Sequence, residues 1–442
     1  MADAPDPTPV VTVFIRHDAQ VLLLRRSEAV GSDSGRWGGV AGHVAEETGE
    51  PLEDAADPET AARREIREET GLADDAVSLV RRGEPFAVAD PDLNRRWLVH
   101  PFLFDAERSA VETNAETVAH EWVSPTAILR RETVPDLWTS YDRVRPTPAT
   151  VAADTDHGSA TVSVRALETL RDEAAVAVER GGDRAALLDT ARQLRTARPS
   201  MAVVGTRVDR AVTAALDGVG NAEASDAGFA AALESVATAG IERALSADRD
   251  AAARVAERLP DRIATLSRSG TVLAALERAA PDSVLVAESR PGREGIETAE
   301  ALADRLPEAS VTLTTDAALA DGLAPGVEAV VVGADSVLAD GRVVNKVGTR
   351  AAVTVAEREG IDAYAVAAAD KVGTGDALDR EEREPRELYD GDADLAVANP
   401  TFDATPVDRF DALITERGAL DAAGVREVAA EHRELAAWTD RV

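Results

Sequence analysis

The chain opens on short apolar runs broken by polar turns. Val10-Val11-Thr12-Val13-Phe14-Ile15 and Val21-Leu22-Leu23-Leu24 flank His17-Asp18-Ala19-Gln20, a pattern that predicts a β-hairpin. A loop with Gly31 and Gly35 follows, then Arg36-Trp37-Gly38-Gly39-Val40-Ala41-Gly42-His43, whose glycines allow close backbone approach. Further on, Asp57-Pro58 reads as an N-cap with proline at the first helical position, and Gly71 as a C-terminal stop. Within that helix Ile66 and, just past it, Leu72 turn inward. Trp97 to Phe104 predicts another strand, and Pro101 inside it suggests an edge or a bulge. His120 to Pro125 leads into a closing helix near 126–145, which completes a first domain over residues 1–145.

Prolines and polar residues mark 146–157 as a linker. From 158 to 281 the periodicity is helical, including Val162 to Arg180, Arg184 to Arg195 and Ala227 to Leu245. From 282 to 442 the pattern changes to alternating strands and helices. Strands are expected at Ser283–Ala287, Val311–Thr314, Ala329–Val332 and Ala363–Ala367, the rhythm of a parallel sheet. Polar residues at strand C-termini should then share one crevice, and Asp335, Lys346 and Lys371 are placed there. The fold class is α/β multidomain.

Composition narrows the setting. The 442 residues are 45% hydrophobic, enough for real cores in two or three domains. There is no cysteine, which excludes disulfides, thiolate metal sites and a cysteine nucleophile. No uncharged apolar run of about 18 residues occurs, and the N-terminus lacks the basic and apolar regions of a signal peptide, so no membrane partner and a cytoplasmic location are expected. A net charge of -33 argues against general nucleic-acid binding. Of the 48 basic residues only Lys346 and Lys371 are lysine; acidic excess with lysine almost eliminated resembles halophile composition, though a GC-rich genome favouring arginine codons has the same effect. In such a chain the two lysines are expected where an ammonium group is needed, and one beside a helix N-terminus suits phosphate.

The stretch Arg64-Glu65-Ile66-Arg67-Glu68-Glu69-Thr70-Gly71-Leu72 carries the first candidate chemistry. At about 100° per residue, Glu65, Glu68 and Glu69 fall within roughly 100° of one helix face. Carboxylates so crowded repel one another unless a cation sits among them, although a solvated acidic face would show the same pattern. Arg64 lies four residues before Glu68 and can pair with it. The full string resembles the box of the Nudix hydrolases, and the resemblance covers the whole first domain. It implies an α/β/α sandwich with a mixed sheet, and hydrolysis of a nucleoside diphosphate derivative with Mg²⁺, or Mn²⁺, held by Glu65, Glu68 and Glu69. A base could be one of these or Glu116 or Glu121. Upstream, seven residues separate Gly42 from Glu50 and thirteen separate Glu50 from Arg64, longer than the family pattern, which leaves the role of Glu50 open.

In the second half, Glu288-Ser289-Arg290-Pro291, Gly333-Ala334-Asp335-Ser336, Asn345-Lys346-Val347-Gly348-Thr349 and Asn399 to Pro406 resemble the initiation factor 2B alpha/beta/delta family, which includes ribose-1,5-bisphosphate and methylthioribose-1-phosphate isomerases. Covering roughly 155–442, this resemblance implies a helical part, a Rossmann-like part, a sugar-phosphate or nucleotide pocket with Arg290, Asp335, Asn345 and Lys346, and a homo-oligomer. Ser267 stands where the isomerases carry a cysteine. A serine hydroxyl is a poor proton donor at neutral pH, which argues against isomerisation and for a binding role. The combined expectation is a hydrolase with an attached ligand-binding domain; the alternatives are a non-catalytic regulatory binding protein or a sugar-phosphate isomerase.

Overall fold

Strands β1 (Thr8–His17) and β2 (Gln20–Arg26) form the expected antiparallel hairpin, with His17 opposite Gln20. Its two-residue turn, Asp18-Ala19, has φ of 45° and 62°, a backbone whose twist matches that of the paired strands. The computed structural model describes residues 7–29, 33–44, 57–90, 95–218, 225–323 and 326–441. Contacts divide the chain into two units, one of Met1–Thr147 with Arg171–Gly182 and one of Pro148–Leu170 with Asp183–Val442.

The first unit continues through β3 (Trp37–Gly38), β4 (Val40–His43), helix α1 (Pro58–Thr70), β5 (Val77–Arg82), β6 (Phe86–Asp90), β7 (Arg95–Ala106), β8 (Thr117–Val123) and α2 (Leu137–Asp142). They form a mixed sheet in the order β3-β2-β1-β7-β5, with β1 and β7 parallel, and with β4, β6 and β8 added on β1, β7 and β2. Alternation along β1 separates two apolar layers. Val11, Val13 and Ile15 pack with Ala62 and Ile66 of α1, while Phe14 packs on the other face with Leu103, Trp138 and Tyr141. The sandwich is therefore as expected, but β7 is not an edge strand. Pro101 lies at its middle, where the antiparallel neighbour changes from β5 to β6; the partner chain leaves the ladder there, so the missing N–H costs no pairing, while the Pro101 carbonyl still accepts from Gly83. The closing helix near 126–145 is instead a 3₁₀ turn, Pro125–Leu129, and the short α2.

The second unit begins with a helix, α3 (Pro148–Ala153), inside the stretch expected to be linker. It continues with the first half of α4 (Ser159–Arg180), then α5 (Arg184–Arg195), α6 (Ala202–Gly218) and α7 (Asp226–Ala256). Next come β9 (Arg262–Leu266), α8 (Gly270–Ala279), β10 (Ser283–Ala287), α9 (Glu294–Arg305), β11 (Ser310–Thr314), α10 (Asp316–Leu323) and β12 (Ala329–Val332). The rest is β13 (Ser336–Val337), β14 (Arg342–Lys346), α11 (Thr349–Glu359), β15 (Asp362–Val366), β16 (Phe402–Pro406), β17 (Ala412–Thr415), β18 (Gly418–Leu420) and α12 (Ala422–Ala436). The sheet order is β11-β10-β9-β12-β15-β17-β18, parallel except at β18. β9 lies in the stretch expected to be purely helical, yet it is internal to the sheet, its residues 263–266 buried between neighbours. A five-residue strand is too short for periodicity to separate it from the surrounding helices. The chain moves outward from β9 to β11 and then returns to β12, so the direction of winding reverses between β9 and β12, the point at which parallel sheets of this kind hold ligands beyond their strand C-termini. β13, β14 and β16 form a separate small antiparallel sheet.

Candidate functional site

Helix α1 ends as its sequence dictates. Gly71 adopts φ 67°, and its N–H bonds the Arg67 carbonyl. At the other end Pro58 occupies the first turn, but the Asp57 side chain makes no cap; it accepts instead from the Thr60 hydroxyl at 3.4 Å. Ala61, Ala62 and Ile66 anchor one side in the core, which fixes where the carboxylates go. Glu69 is buried at 8% exposure, with Oε1 accepting the Ala41 N–H at 3.2 Å. Burial pushes its carboxyl up to about 8; the Ala41 hydrogen bond opposes this, and the neighbouring Glu65 and Glu116 add to it. Glu65 is half-buried and likewise raised, chiefly by burial, with Arg64 opposing and Glu68 and Glu116 reinforcing. Glu68 is exposed on the same helix.

Two contacts on this face have no counterpart in the spacing rules. The Glu65 carboxylate rests against Gly42, where any Cβ would collide with it, so this glycine serves close approach. Arg64 bonds Glu65 Oε1 and the His43 carbonyl, both at 2.8 Å, where the four-residue spacing had suggested Glu68. Glu116 stands close enough to raise both buried carboxyls, whereas Glu121 is paired with Arg131 at 2.6 Å. Glu50 lies outside the described residues. Among the described residues no three carboxylate or imidazole groups converge as a metal cage. The donor chemistry nevertheless fits a hard cation: two adjacent oxygen-donor groups, each less acidic because of burial and the other carboxylates.

The second candidate site lies where the second unit reverses its winding. Ser267 follows β9 with φ 66°, its N–H bonding the Ser289 hydroxyl at 2.6 Å, which ties the end of β9 to the end of β10. Asp335 follows β12, held by a backbone bond from its N–H to the Val344 carbonyl. Burial raises the Asp335 carboxyl; Lys371 and then Lys346 oppose that, and Glu381 and Glu294 reinforce it. The two lysines are thus brought to one carboxylate, though not as bare phosphate ligands. Lys346 Nζ bonds Glu294 Oε1 at 2.7 Å and lies 5.9 Å from the Phe402 ring centre. Lys371 Nζ donates to the Ala334 carbonyl at 2.6 Å, and burial lowers its pKa.

Other expected residues are placed differently. Lys346 ends β14 of the small sheet rather than a strand of the main one. The amides of Gly348 and Arg350 at the start of α11, a ready anion site by sequence, are taken by the Asp403 carboxylate. Asn345 is buried and donates to the Thr349 hydroxyl at 2.9 Å, and Arg290 is exposed and paired with Glu288 at 3.3 Å. Glu294 and Glu381 were missed in the sequence. The available signal was chemical: a buried lysine in so acidic a chain requires a carboxylate partner.

Comparison with known proteins agrees with this division. Residues 6–144 match the model of the NUDIX domain, and residues 155–422 match that of the Initiation factor 2 subunit family. A ribose 1,5-bisphosphate isomerase of Haloferax volcanii is 33% identical over 305 residues, 63% of this chain and 90% of that protein. A methylthioribose-1-phosphate isomerase of Methylococcus capsulatus is 36% identical over 163 residues, 34% of this chain and 46% of that protein. A probable bifunctional methylthioribose-1-phosphate isomerase/methylthioribulose-1-phosphate dehydratase of Nocardia farcinica is 34% identical over 314 residues, 62% of this chain and 56% of that protein; the chain thus spans about half the length of these last two relatives. In fold, the chain is similar to the translation initiation factor eIF-2B of Pyrococcus horikoshii, with TM-score 0.52 and 23% identity, over 62% of this chain and 94% of that one. The chain belongs to the initiation factor 2 subunit family and carries a NUDIX domain at its N-terminus.

Proposed function

We propose that this family member is a Mg²⁺-dependent hydrolase of a nucleoside diphosphate derivative, with Mn²⁺ a workable substitute, whose second unit binds a sugar phosphate or nucleotide. The observation that carries the first half is the adjacent pair of carboxyls, half-buried Glu65 seated on Gly42 and buried Glu69 on the Ala41 amide. These two, with the exposed Glu68 at the rim, would hold the ion. When bound, such an ion neutralises phosphate charge and acidifies an attacking water. Arg64 orients Glu65 through their shared bond, and among the described residues Glu116 is a further carboxylate close enough to act on Glu65 and to serve as base.

In the second unit Asp335, flanked by Lys371 and Lys346, is read as the group that holds a ribose or phosphate, with Asn345 and Arg290 in supporting positions. Ser267 sits at the strand end beside it and makes a poor acid, so a binding role fits better than isomerisation. The likeness to the Haloferax volcanii isomerase over most of that protein favours isomerase activity as a second reading. Ribose-1,5-bisphosphate and methylthioribose-1-phosphate turnover by the parent would establish it. The proposed setting is a homo-oligomer in a salt-rich cytoplasm, in keeping with the acidic, lysine-poor surface; among the described residues no helix is long and apolar enough to cross a membrane.

The test is product release from a panel of nucleoside diphosphate derivatives in molar KCl with Mg²⁺, comparing parent and Glu69→Gln. Hydrolysis abolished in the variant supports the assignment and names the substrate. A folded parent that turns over no member of the panel overturns it in favour of a non-catalytic nucleotide-binding protein.

A further inference from the structure

Within the second unit, α4, α6 and α7 enclose a cavity of about 70 Å³ whose lining includes Arg207, Arg210, Arg243 and Asp370, with Leu167 and Gly240 among its apolar walls. In a chain of net charge -33, three guanidinium groups around one small space call for an explanation. Asp370 accounts for part of it, accepting from Arg210 Nη2 at 2.7 Å and Arg207 Nε at 3.4 Å. Arg207 Nη1 donates to Ser163 Oγ at 2.8 Å, and Asp248 lies 3.7 Å from Arg207 Nη2, beyond hydrogen-bond reach. His432 Nδ1 lies 2.7 Å from the Val372 carbonyl and its Nε2 3.2 Å from Arg210 Nη2; burial lowers its pKa, so the neutral ring donates to the carbonyl, accepts from the arginine and adds no charge.

What is left over is specific. Arg207 is 3% exposed, yet its Nη2 has no hydrogen-bond acceptor, and neither has the buried Nε of Arg210. Asp248 Oδ1 is also without a donor, and its Oδ2 reaches Arg207 Nη2 as an ion pair at 3.7 Å without a hydrogen bond. Arg243 is exposed and makes no ion pair with a described residue. Three guanidiniums therefore face two carboxylates, and buried N–H groups without acceptors are costly, the more so when charged. The space is several times what one water requires. A small tetrahedral oxyanion supplies acceptors in several directions at once, which guanidinium forks match better than they match water.

We propose that this cavity is an oxyanion site of phosphate size, distinct from the Asp335 crevice, with Arg207 and Arg210 as its buried donors and Arg243 at its mouth. The proposal does not depend on the hydrolase reading. The probe is inorganic phosphate, titrated calorimetrically into the full chain carrying Lys346→Ala and Asp335→Asn, so that the crevice is disabled. Phosphate should still bind this chain, Arg243→Glu should weaken it at least tenfold, and Arg243→Lys should restore most of the loss. Arg243 is exposed, so these variants leave the fold intact, which circular dichroism checks. No phosphate binding by the crevice-disabled chain, or affinity indifferent to Arg243→Glu, overturns the proposal.

Discussion

The two candidate sites handle charge in opposite ways. On α1 the neighbours are of like sign: Glu65 and Glu116 raise Glu69, Glu68 and Glu116 raise Glu65, and Arg64, Arg26 and a backbone amide offset them in part. At the end of β12 the buried groups are of opposite sign, Asp335 against Lys371 and Lys346, with Glu294 closing the set. Like charges held together by the fold form a site that gains from a cation. Opposed charges form a polar lining that can exchange one partner for a ligand at little electrostatic cost. Burial raises the carboxyl in both places, so burial does not distinguish them; the sign of the neighbours does.

The largest expected break in this contrast comes from Glu69→Gln or Glu65→Gln. Removing one ionisable oxygen donor from this set should lower Mg²⁺-dependent hydrolysis by about a hundredfold or more, read as kcat at saturating Mg²⁺. Retained kcat would show that these carboxyls are structural. Next in size is Asp335→Asn, expected to weaken binding of a ribose phosphate about tenfold to a hundredfold by calorimetry while leaving hydrolysis unchanged. Loss of hydrolysis in that variant would mean that the two sites are not separate. Gly42→Ala should cost roughly tenfold in hydrolysis by displacing the Glu65 carboxylate, and Glu65→Asp in the same background should recover part of it.

The smallest effect is on stability. Glu69 is held up at about 8, so the folded chain prefers its protonated form. That contribution is complete below the ordinary carboxylate range and is lost as pH rises through about 8. With divalent ions chelated, thermal melts of the parent should drop by about 5 °C between pH 5 and 9, and Glu69→Gln should flatten the profile. An equal drop in the variant would place its cause elsewhere.

How legible all this was in the sequence depends on range. The hairpin, α1 and the stop at Gly71 follow from local chemistry and appear where expected. β9 did not, because a short buried strand gains its stability from β10 and β12 on either side, which are distant in sequence. Of the two readings of Pro101, the edge failed for a related reason: whether a missing N–H matters depends on which strand lies opposite, and there the neighbour changes. The β5–β7 pairing beside it does shift register between Leu79 and Arg81.

The sequence by itself determined the acidic helix face, the lysine economy and the alternating pattern of the second half, since each is a matter of residue type and spacing. Only the tertiary structure decided that Glu69 is buried while Glu68 is exposed, that Gly42 makes room for Glu65, and that Asp403 takes the amides at the start of α11. Those outcomes turn on which surfaces meet, and a helix's spacing specifies a face without specifying what covers it.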